Sequence, residues 1–345
     1  MLLNSFDSCK AALLAHRLHT LRRTTAATSK ITSSSWPQTR IFPSRFYGTD
    51  QQKLGVDQCM PSGAWDSHMH ILDPRFPLSQ DAQYKPRWHT LQDWKQFSKS
   101  VGIPNAVFVQ PSIYGNDNSC LLDALKILGL DRSRGVVTFD PLTTPLSTLQ
   151  QWDVLGVRGV RVNLVSVRKF MEKDELANTL LTYAAVIRPL KWVIQLYLPM
   201  QMVPLLESIL PELGVVVCID HMGHPPLADL PEYAATRDPF AIPGFDAMIR
   251  LLKGGGTYVK MSGAYRMATV SDGITDVIPI AREFLRTARQ KVVFATDWPH
   301  TRYNGLDIRP WIQTSFDICD GDEALIKQIF KSNAEELWSV EKDTI

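Results

Sequence analysis

Short runs rich in β-branched and aromatic residues recur along this chain at helix-sized intervals, and this repetition constrains the fold more than any other feature. Successive runs start 23 to 43 residues apart, which leaves room for one helix and two loops between them. The pattern therefore predicts strands that alternate with helices. The eight runs cover residues 64–71, 105–111, 134–140, 157–164, 191–198, 214–222, 257–264 and 292–300.

Helical patterns lie between these runs, at residues 90–100, 120–129, 173–187, 201–210, 242–252 and 275–288. Eight strand–helix units in about 240 residues are typical of a (β/α)8 TIM barrel in a single domain. A helical pattern at residues 323–338 follows the last run and can close the barrel. The alternative is a doubly wound open sheet, but no G-x-G-x-x-G follows the first run, and the glycines at 254–256 precede a strand and favour a turn.

The first 47 residues differ in composition from the rest of the chain. They contain seven Lys/Arg, one acid and many Ser/Thr, and the segment A-A-L-L-A-H-R-L-H-T-L-R-R is basic and amphipathic, as in mitochondrial transit peptides. The stretch R-F-Y-G at 45–48 resembles an R-x-Y processing site. We interpret residues 1–47 as a leader for the mitochondrial matrix, 48–63 as a linker and 64–345 as the barrel domain. A disordered basic tail on a cytoplasmic protein is the alternative.

Charge and composition exclude several classes of protein. The net charge is +2, and removing the leader (7 − 1 = +6) leaves −4, so no basic surface predicts nucleic-acid binding. No apolar run reaches the roughly 20 residues that span a bilayer, which predicts no membrane partner. The five cysteines are scattered without a C-x-x-C pair, so neither a disulfide framework nor a zinc–thiolate site is expected.

Polar residues accumulate where the predicted strands end, which is the face of such barrels that carries chemistry. In W-D-S-H-M-H the alternation of a strand places Asp66, His68 and His70 on one side. His221 ends the sixth run and Asp297 the eighth. A lone histidine is more often a packed core or surface residue, but this combination predicts one catalytic cluster, with Asp66 as its structural partner.

The remaining histidines carry weaker signals. His224 and His300 lie beyond strands six and eight, where a role in the site and a role in capping loops are equally open. His16 and His19 belong to the leader and His89 to a loop, so no role is assigned to them.

These motifs resemble the amidohydrolase superfamily, in particular its branch of 2-pyrone-4,6-dicarboxylate lactonases, over residues 64–338. The resemblance implies a (β/α)8 hydrolase that opens the ester bond of a small carboxylated lactone, 2-pyrone-4,6-dicarboxylate or an analogue. The matching blocks are W-D-S-H-M-H, Y-K-P-R, V-F-V-Q-P-S-I-Y-G-N-D-N, G-V-R-G-V-R-V-N, I-D-H-M-G, V-K-M-S-G-A-Y-R and A-T-D-W-P-H.

In such a reaction Asp297 can act as the base for water, while His68, His70 and His221 polarise the lactone carbonyl. The resemblance implies further substrate-binding residues, two arginines for the carboxylates and three hydroxyl groups as hydrogen-bonding partners. They are Arg161, Arg266, Tyr84, Ser112 and Tyr197. The alternative for the arginines is a surface salt bridge. Arg158 faces the other way on its strand and is interpreted as structural.

The chain departs from the family pattern at two positions. Relatives carry an arginine shortly after the strand-four block, where this chain has Val167, with Arg168 next to it. Tyr114 stands where relatives can carry a histidine. The first departure leaves one carboxylate clamp shifted or absent, which puts the exact dicarboxylate in doubt.

Binuclear members of the superfamily require a lysine on strand four and a histidine on strand five. Strand four instead ends in Arg161 and Asn163, and strand five in Gln195 and Tyr197, so a binuclear site is not expected. We expect no metal, as in the lactonase branch. The alternative is one zinc ion on His68, His70, His221 and Asp297.

Two other functions are compatible with the sequence. One is a metal-dependent decarboxylase of an aromatic acid on the same scaffold. The other is a barrel that binds a carboxylate without turnover. No sequence feature indicates the oligomeric state.

Overall fold

The computed structural model describes residues 55–166, 170–267 and 274–340, and eight parallel strands form its centre. Each strand pairs with the next one along the chain, in the order β1 to β8. The strands are β1 Trp65–Met69, β2 Asn105–Val109, β3 Ser133–Val137, β4 Val157–Asn163, β5 Val193–Tyr197, β6 Val217–Ile219, β7 Thr257–Met261 and β8 Val292–Phe294.

Contacts between the first and last strands close this sheet. Met69 forms a parallel bridge with Trp298, and the amide of Asp297 donates to the carbonyl of His68 at 2.9 Å. The amide and hydroxyl of Thr296 both donate to the Asp66 carboxylate, which is the contact of a structural partner. The (β/α)8 barrel predicted from the strand spacing is thus confirmed, and the doubly wound alternative is wrong.

Helices cover the outside of the barrel. They are α1 Val56–Cys59, α2 Leu91–Val101, α3 Ser119–Leu128, α4 Leu146–Val154, α5 Lys173–Ile187, α6 Val203–Leu213, α7 Pro231–Thr236, α8 Phe245–Lys253, α9 Ala264–Met267, α10 Ile278–Ala288, α11 Arg309–Asp317, α12 Glu323–Lys327 and α13 Asn333–Leu337. The predicted span 173–187 matches α5. The pattern missed α4, because Leu149 alone of its nine residues is buried and no apolar periodicity marks it.

The C-terminal helices close one end of the barrel, as the pattern at 323–338 predicts. Ala334, Leu337 and Trp338 pack with inward-facing strand residues such as Val107 and Val293. The indole N–H of Trp338 also donates to the Ser67 hydroxyl at 3.2 Å. Apolar side chains therefore fill most of this end of the barrel.

The predicted leader, residues 1–47, lies outside the described residues. Within the predicted linker, the one-turn helix α1 contacts α2 and α11. No helix among residues 55–166, 170–267 and 274–340 is long and apolar enough to cross a membrane.

Candidate active site

The four side chains of the predicted catalytic cluster meet at the carboxyl ends of β1, β6 and β8. The Nε2 atoms of His68 and His70 lie 3.3 Å apart, and Asp297 Oδ1 is 3.8 Å from each of them. His221 Nε2 lies 3.9 Å from Asp297 Oδ2. All four residues are at most 5% exposed. Segments more than 220 residues apart in the chain therefore build one buried centre.

The loops after β6 and β8 hold an unusual backbone conformation. Six non-glycine residues there have positive φ, and each such residue costs about 1–3 kcal/mol relative to a relaxed backbone. They are His221, Met222, His224, Asp297, His300 and Arg302. The surrounding structure must offset this strain, which indicates that the direction of these side chains matters.

Gly263 allows the loop after β7 to approach His221. Its φ is +65°, and a Cβ atom there would lie 2.8 Å from His221 Nδ1. The neighbouring Ser262 hydroxyl can then pair with the same nitrogen at 2.9 Å. A side chain at position 263 would push the imidazole out of place.

The Asp297 carboxylate is ionised, and only one of its two oxygens accepts hydrogen bonds from the described residues. Its Oδ2 accepts hydrogen bonds from Tyr265 Oη at 2.7 Å and Arg266 Nε at 2.5 Å. Its Oδ1 is buried and has no hydrogen-bond partner among the described residues. Burial alone would raise its pKa, but Arg266 and the nearby imidazoles hold that pKa well below its usual range. Oδ1 is thus available to a proton, a water molecule or a cation.

The imidazoles are neutral, and His70 offers a lone pair to the space between them. His70 Nδ1 lies 2.7 Å from the carbonyl of Val109, which can only accept, so Nδ1 carries the proton and Nε2 the lone pair. Burial and Arg161 lower the pKa of His70 to about 3. Burial also lowers the pKa of His221 to about 4. A neutral His70 cannot donate from Nε2, which restricts how this pair polarises a carbonyl.

Beneath the cluster lies a polar layer that the sequence did not reveal. Lys260 Nζ donates to Gln195 Oε1 at 2.6 Å and lies 3.3 Å from Asp220 Oδ1. Asp220 also accepts from Gln195 Nε2 at 2.9 Å and lies 3.2 Å from His68 Nδ1. All are fully buried. Burial raises the pKa of Asp220, but Lys260 and His68 hold it well below its usual range.

The sequence contains the residues of this layer, but their pattern does not predict that they contact one another. Lys260 and Gln195 interrupt apolar strands, and Asp220 directly precedes His221. A buried lysine in a strand indicates a partner without indicating which one, because the partners come from other strands.

A small cavity that is open to solvent lies above the cluster. All five predicted substrate-binding residues line it: Arg161, Arg266, Tyr84, Ser112 and Tyr197. The complete lining is His70, Tyr84, Pro111, Ser112, Arg161, Ser166, Tyr197, His221, Arg266, Asp297, Thr301 and Arg302. Three arginines and one ionised carboxylate with neutral imidazoles give this lining a net charge of +2 (3 − 1). Such a cavity favours a dianion.

Arg161 is a buried cation at the wall of this cavity. It is 6% exposed, and its Nη1 donates to the carbonyl of Gln110 at 3.0 Å. Its Nε has no hydrogen-bond partner among the described residues and lies 3.8 Å from Asp220 Oδ2. The surface salt bridge considered from the sequence is therefore wrong for Arg161. Arg158 is paired with Asp153 at 3.1 Å, which fits its structural interpretation.

The two histidines left open by the sequence lie outside the cavity lining. His224 Nδ1 is 3.3 Å from the hydroxyl of Tyr197, so it contacts a lining residue. His300 packs edge-on against Phe97 and Tyr265. Neither lines the cavity, and Tyr114 is likewise absent from its lining.

The cluster also fits a single metal ion. Among the described residues, His68, His221 and Asp297 offer ligand atoms within 4.8 Å of one another, and the His70 lone pair points to the same space. Imidazole nitrogens and carboxylate oxygens are ordinary zinc ligands, and the unpartnered Asp297 Oδ1 has the charge that a cation requires.

The barrel and its histidine–aspartate centre are those of an amidohydrolase-type fold, and comparison with known proteins agrees. The family model described as Amidohydrolase matches residues 65–340. The chain therefore belongs to the amidohydrolase family.

Three similar proteins are informative. A 4-sulfomuconolactone hydrolase of Hydrogenophaga intermedia is 29% identical over 277 residues, covering 77% of this chain and 80% of that protein. A 2-pyrone-4,6-dicarboxylate hydrolase of Comamonas testosteroni is 29% identical over 252 residues, covering 70% and 78%. A solved structure of a candidate 2-pyrone-4,6-dicarboxylic acid hydrolase from Pseudomonas putida is 26% identical, with a TM-score of 0.68 over 82% of this chain and 100% of that one.

Proposed function

We propose that this enzyme hydrolyses the ester bond of a small lactone that carries two anionic groups, with 2-pyrone-4,6-dicarboxylate as the first candidate. The observation that carries the proposal is an ionised carboxylate, Asp297, placed in a cavity whose lining has a net charge of +2. The two curated relatives described above are both hydrolases of anionic lactones by name.

Substrate binding rests on the arginines and hydroxyls of the lining. Arg161 cannot leave its buried place, and its planar group can hold a carboxylate through two parallel hydrogen bonds. Tyr84, Ser112 and Tyr197 present hydroxyl groups around the same cavity. These contacts would fix the ring so that its carbonyl faces the histidine–aspartate centre.

Proton transfer is assigned to Asp297. Its Oδ1 accepts a proton from water as the water oxygen attacks the lactone carbonyl carbon. The ring C–O bond then breaks, and the same proton can pass to the departing oxygen. The low pKa of Asp297 makes it a weak base. A pyrone expels a stabilised enolate, so the departing oxygen needs only modest help from this proton.

To polarise the lactone carbonyl, the His68–His70 pair must present an N–H or hold a cation. Two neighbours compete for His68 Nδ1. Asp220, 3.2 Å away, can accept a proton from it, whereas Lys260, 3.3 Å away, can donate to it and so leave an N–H at Nε2. That N–H can turn from His70 to the carbonyl oxygen. A zinc ion on the same four residues would supply the same polarisation as a Lewis acid. The metal-free reaction expected from the sequence stays a prediction.

The test is hydrolysis by the purified full chain, followed as loss of pyrone absorbance with and without a chelator. We expect turnover that chelator leaves unchanged. Asp297→Asn should lower kcat by about 10²–10⁴, the usual contribution of a general base. The matched control is Asp307→Asn, because Asp307 lies in the same loop but outside the cavity lining.

Other outcomes would redirect the assignment. Loss of turnover on chelation, restored by zinc, would show that the metal-free expectation is wrong. Zinc-dependent release of CO₂ from an aromatic acid, without lactone hydrolysis, would support the decarboxylase. Thermal stabilisation by the dicarboxylate without any product would support a binding protein.

A further inference from the structure

Arg302 lies at the mouth of the cavity and was not among the substrate-binding residues expected from the sequence. It follows β8, five residues after Asp297, and adopts a left-handed backbone with φ +71°. Its Cζ atom lies 4.6 Å from the centroid of the Tyr84 ring, and both residues line the cavity. A cation over an aromatic face is attracted by the ring and loses part of its freedom.

The charge of Arg302 is not neutralised within the described parts of the chain. It forms no ion pair and no side-chain hydrogen bond with residues 55–166, 170–267 or 274–340, and it is exposed. The charge of Arg266, by contrast, is balanced by Asp297 at 2.5 Å. Asp220 is the nearest acid to Arg161, at 3.8 Å, but it shares its single charge with Lys260 at 3.3 Å. Arg161 and Arg302 therefore retain positive charge for a ligand.

These two cations occupy different depths. Arg161 is 6% exposed and bonded to the carbonyl of Gln110, in the wall of the barrel. Arg302 is exposed and stacked on a loop residue, Tyr84. A flat ring that places one anionic group in the buried part of the cavity and a second at its mouth would contact both arginines.

We propose that Arg302 is a specificity-determining residue that binds the outer anionic group, a carboxylate or sulfonate, of the dianionic substrate. This inference rests on the proposed function. It also supplies a second cation to the cavity of a chain that has Val167 where the family pattern has an arginine. The competing source is Arg168, which lies outside the described residues.

A binding experiment tests the inference without turnover. Calorimetric titration of the full chain compares benzene-1,3-dicarboxylate with benzoate, flat rings that bear two anions and one. Arg302→Gln should weaken dicarboxylate binding about tenfold, the usual loss of one charge-assisted contact. Benzoate binding should change less than about twofold, and Arg302→Lys should restore part of the affinity. Arg87→Gln, an exposed arginine outside the cavity lining, is the matched control.

Three results would overturn the proposal. One is an equal loss of affinity for the dicarboxylate and for benzoate in Arg302→Gln, which would indicate a structural role for Arg302. Another is dicarboxylate binding that Arg302→Gln leaves unchanged and Arg168→Gln weakens. The third is a wild-type chain that binds the dicarboxylate no more tightly than benzoate.

Kinetics separate this inference from the proposed function. With 2-pyrone-4,6-dicarboxylate, Arg302→Gln should raise KM about tenfold while kcat changes little, because the contact is the same in ground and transition states. A fall in kcat with unchanged KM would contradict a binding role. Absence of any wild-type turnover would refute the proposed function, and the titrations would still decide the role of Arg302.

Discussion

At the scale of single residues, the site depends on backbone conformations that only some residues adopt easily. Gly263 is the clearest case, because its missing side chain leaves room for His221. Asp297, His221 and Arg302 reach their positions through positive φ despite the strain. The identity of a residue in these loops therefore matters through its backbone as well as through its chemistry.

We predict that Gly263→Ala lowers kcat/KM by about 100-fold, the size of effect that a displacement near 1 Å produces in an active site. The new Cβ would stand 2.8 Å from His221 Nδ1 and push the ring away from Asp297. Steady-state kinetics on the lactone measures the effect. Gly255→Ala is the matched control, since φ is +82° there and no atom lies within 4 Å of the added Cβ. An equal loss in both variants would contradict the steric explanation.

At the scale of elements, a buried polar layer joins four strands. Lys260 on β7 and Gln195 on β5 hold Asp220 after β6, and Asp220 contacts His68 on β1. Each charge is compensated only by residues from other strands. The layer therefore couples the integrity of the barrel to the orientation of His68.

We predict that Lys260→Met destabilises the fold by about 3–5 kcal/mol, because it leaves the Asp220 carboxylate buried without its ammonium partner. Adding Asp220→Asn to that variant should recover part of the loss. Urea denaturation of both single variants and the double variant gives the coupling energy. Lys253→Met, an exposed lysine, controls for loss of charge alone. Strictly additive effects would show that the two groups do not depend on each other.

At the scale of the whole molecule, buried neutral histidines make stability depend on pH. Burial lowers the pKa of five of them: His70 and His224 to about 3, His221 and His300 to about 4, and His68 well below its usual value. Below pH 6.5 the unfolded chain binds protons at these residues and the folded chain does not. Acid therefore favours unfolding.

We predict that the free energy of unfolding falls between pH 6.5 and 5, by up to about 1.4 kcal/mol per pH unit for each such histidine. Asp66 opposes this with one proton, because burial raises its pKa to about 6 and its protonated form is favoured in the fold. Urea denaturation across this range at constant ionic strength measures the slope. His300→Asn should reduce it, and a flat profile would refute the prediction.

Local patterns in the chain were enough to predict the architecture and the residues of the histidine–aspartate cluster. The strand and helix periods are local, so they appear in the sequence and predict a (β/α)8 barrel whose strand ends carry His68, His70, His221 and Asp297. The family assignment follows from the same motifs. The leader at residues 1–47 stays a prediction.

Which side chains contact one another became apparent only in the folded barrel. Lys260 pairs with Asp220, and Arg302 lies over the ring of Tyr84. Tyr265 and Arg266 both donate to one oxygen of Asp297. These contacts depend on how the strands are staggered and on the paths of loops far apart in the chain. No local pattern encodes those distances, because side-chain pairing across a barrel is set by closure of the whole sheet.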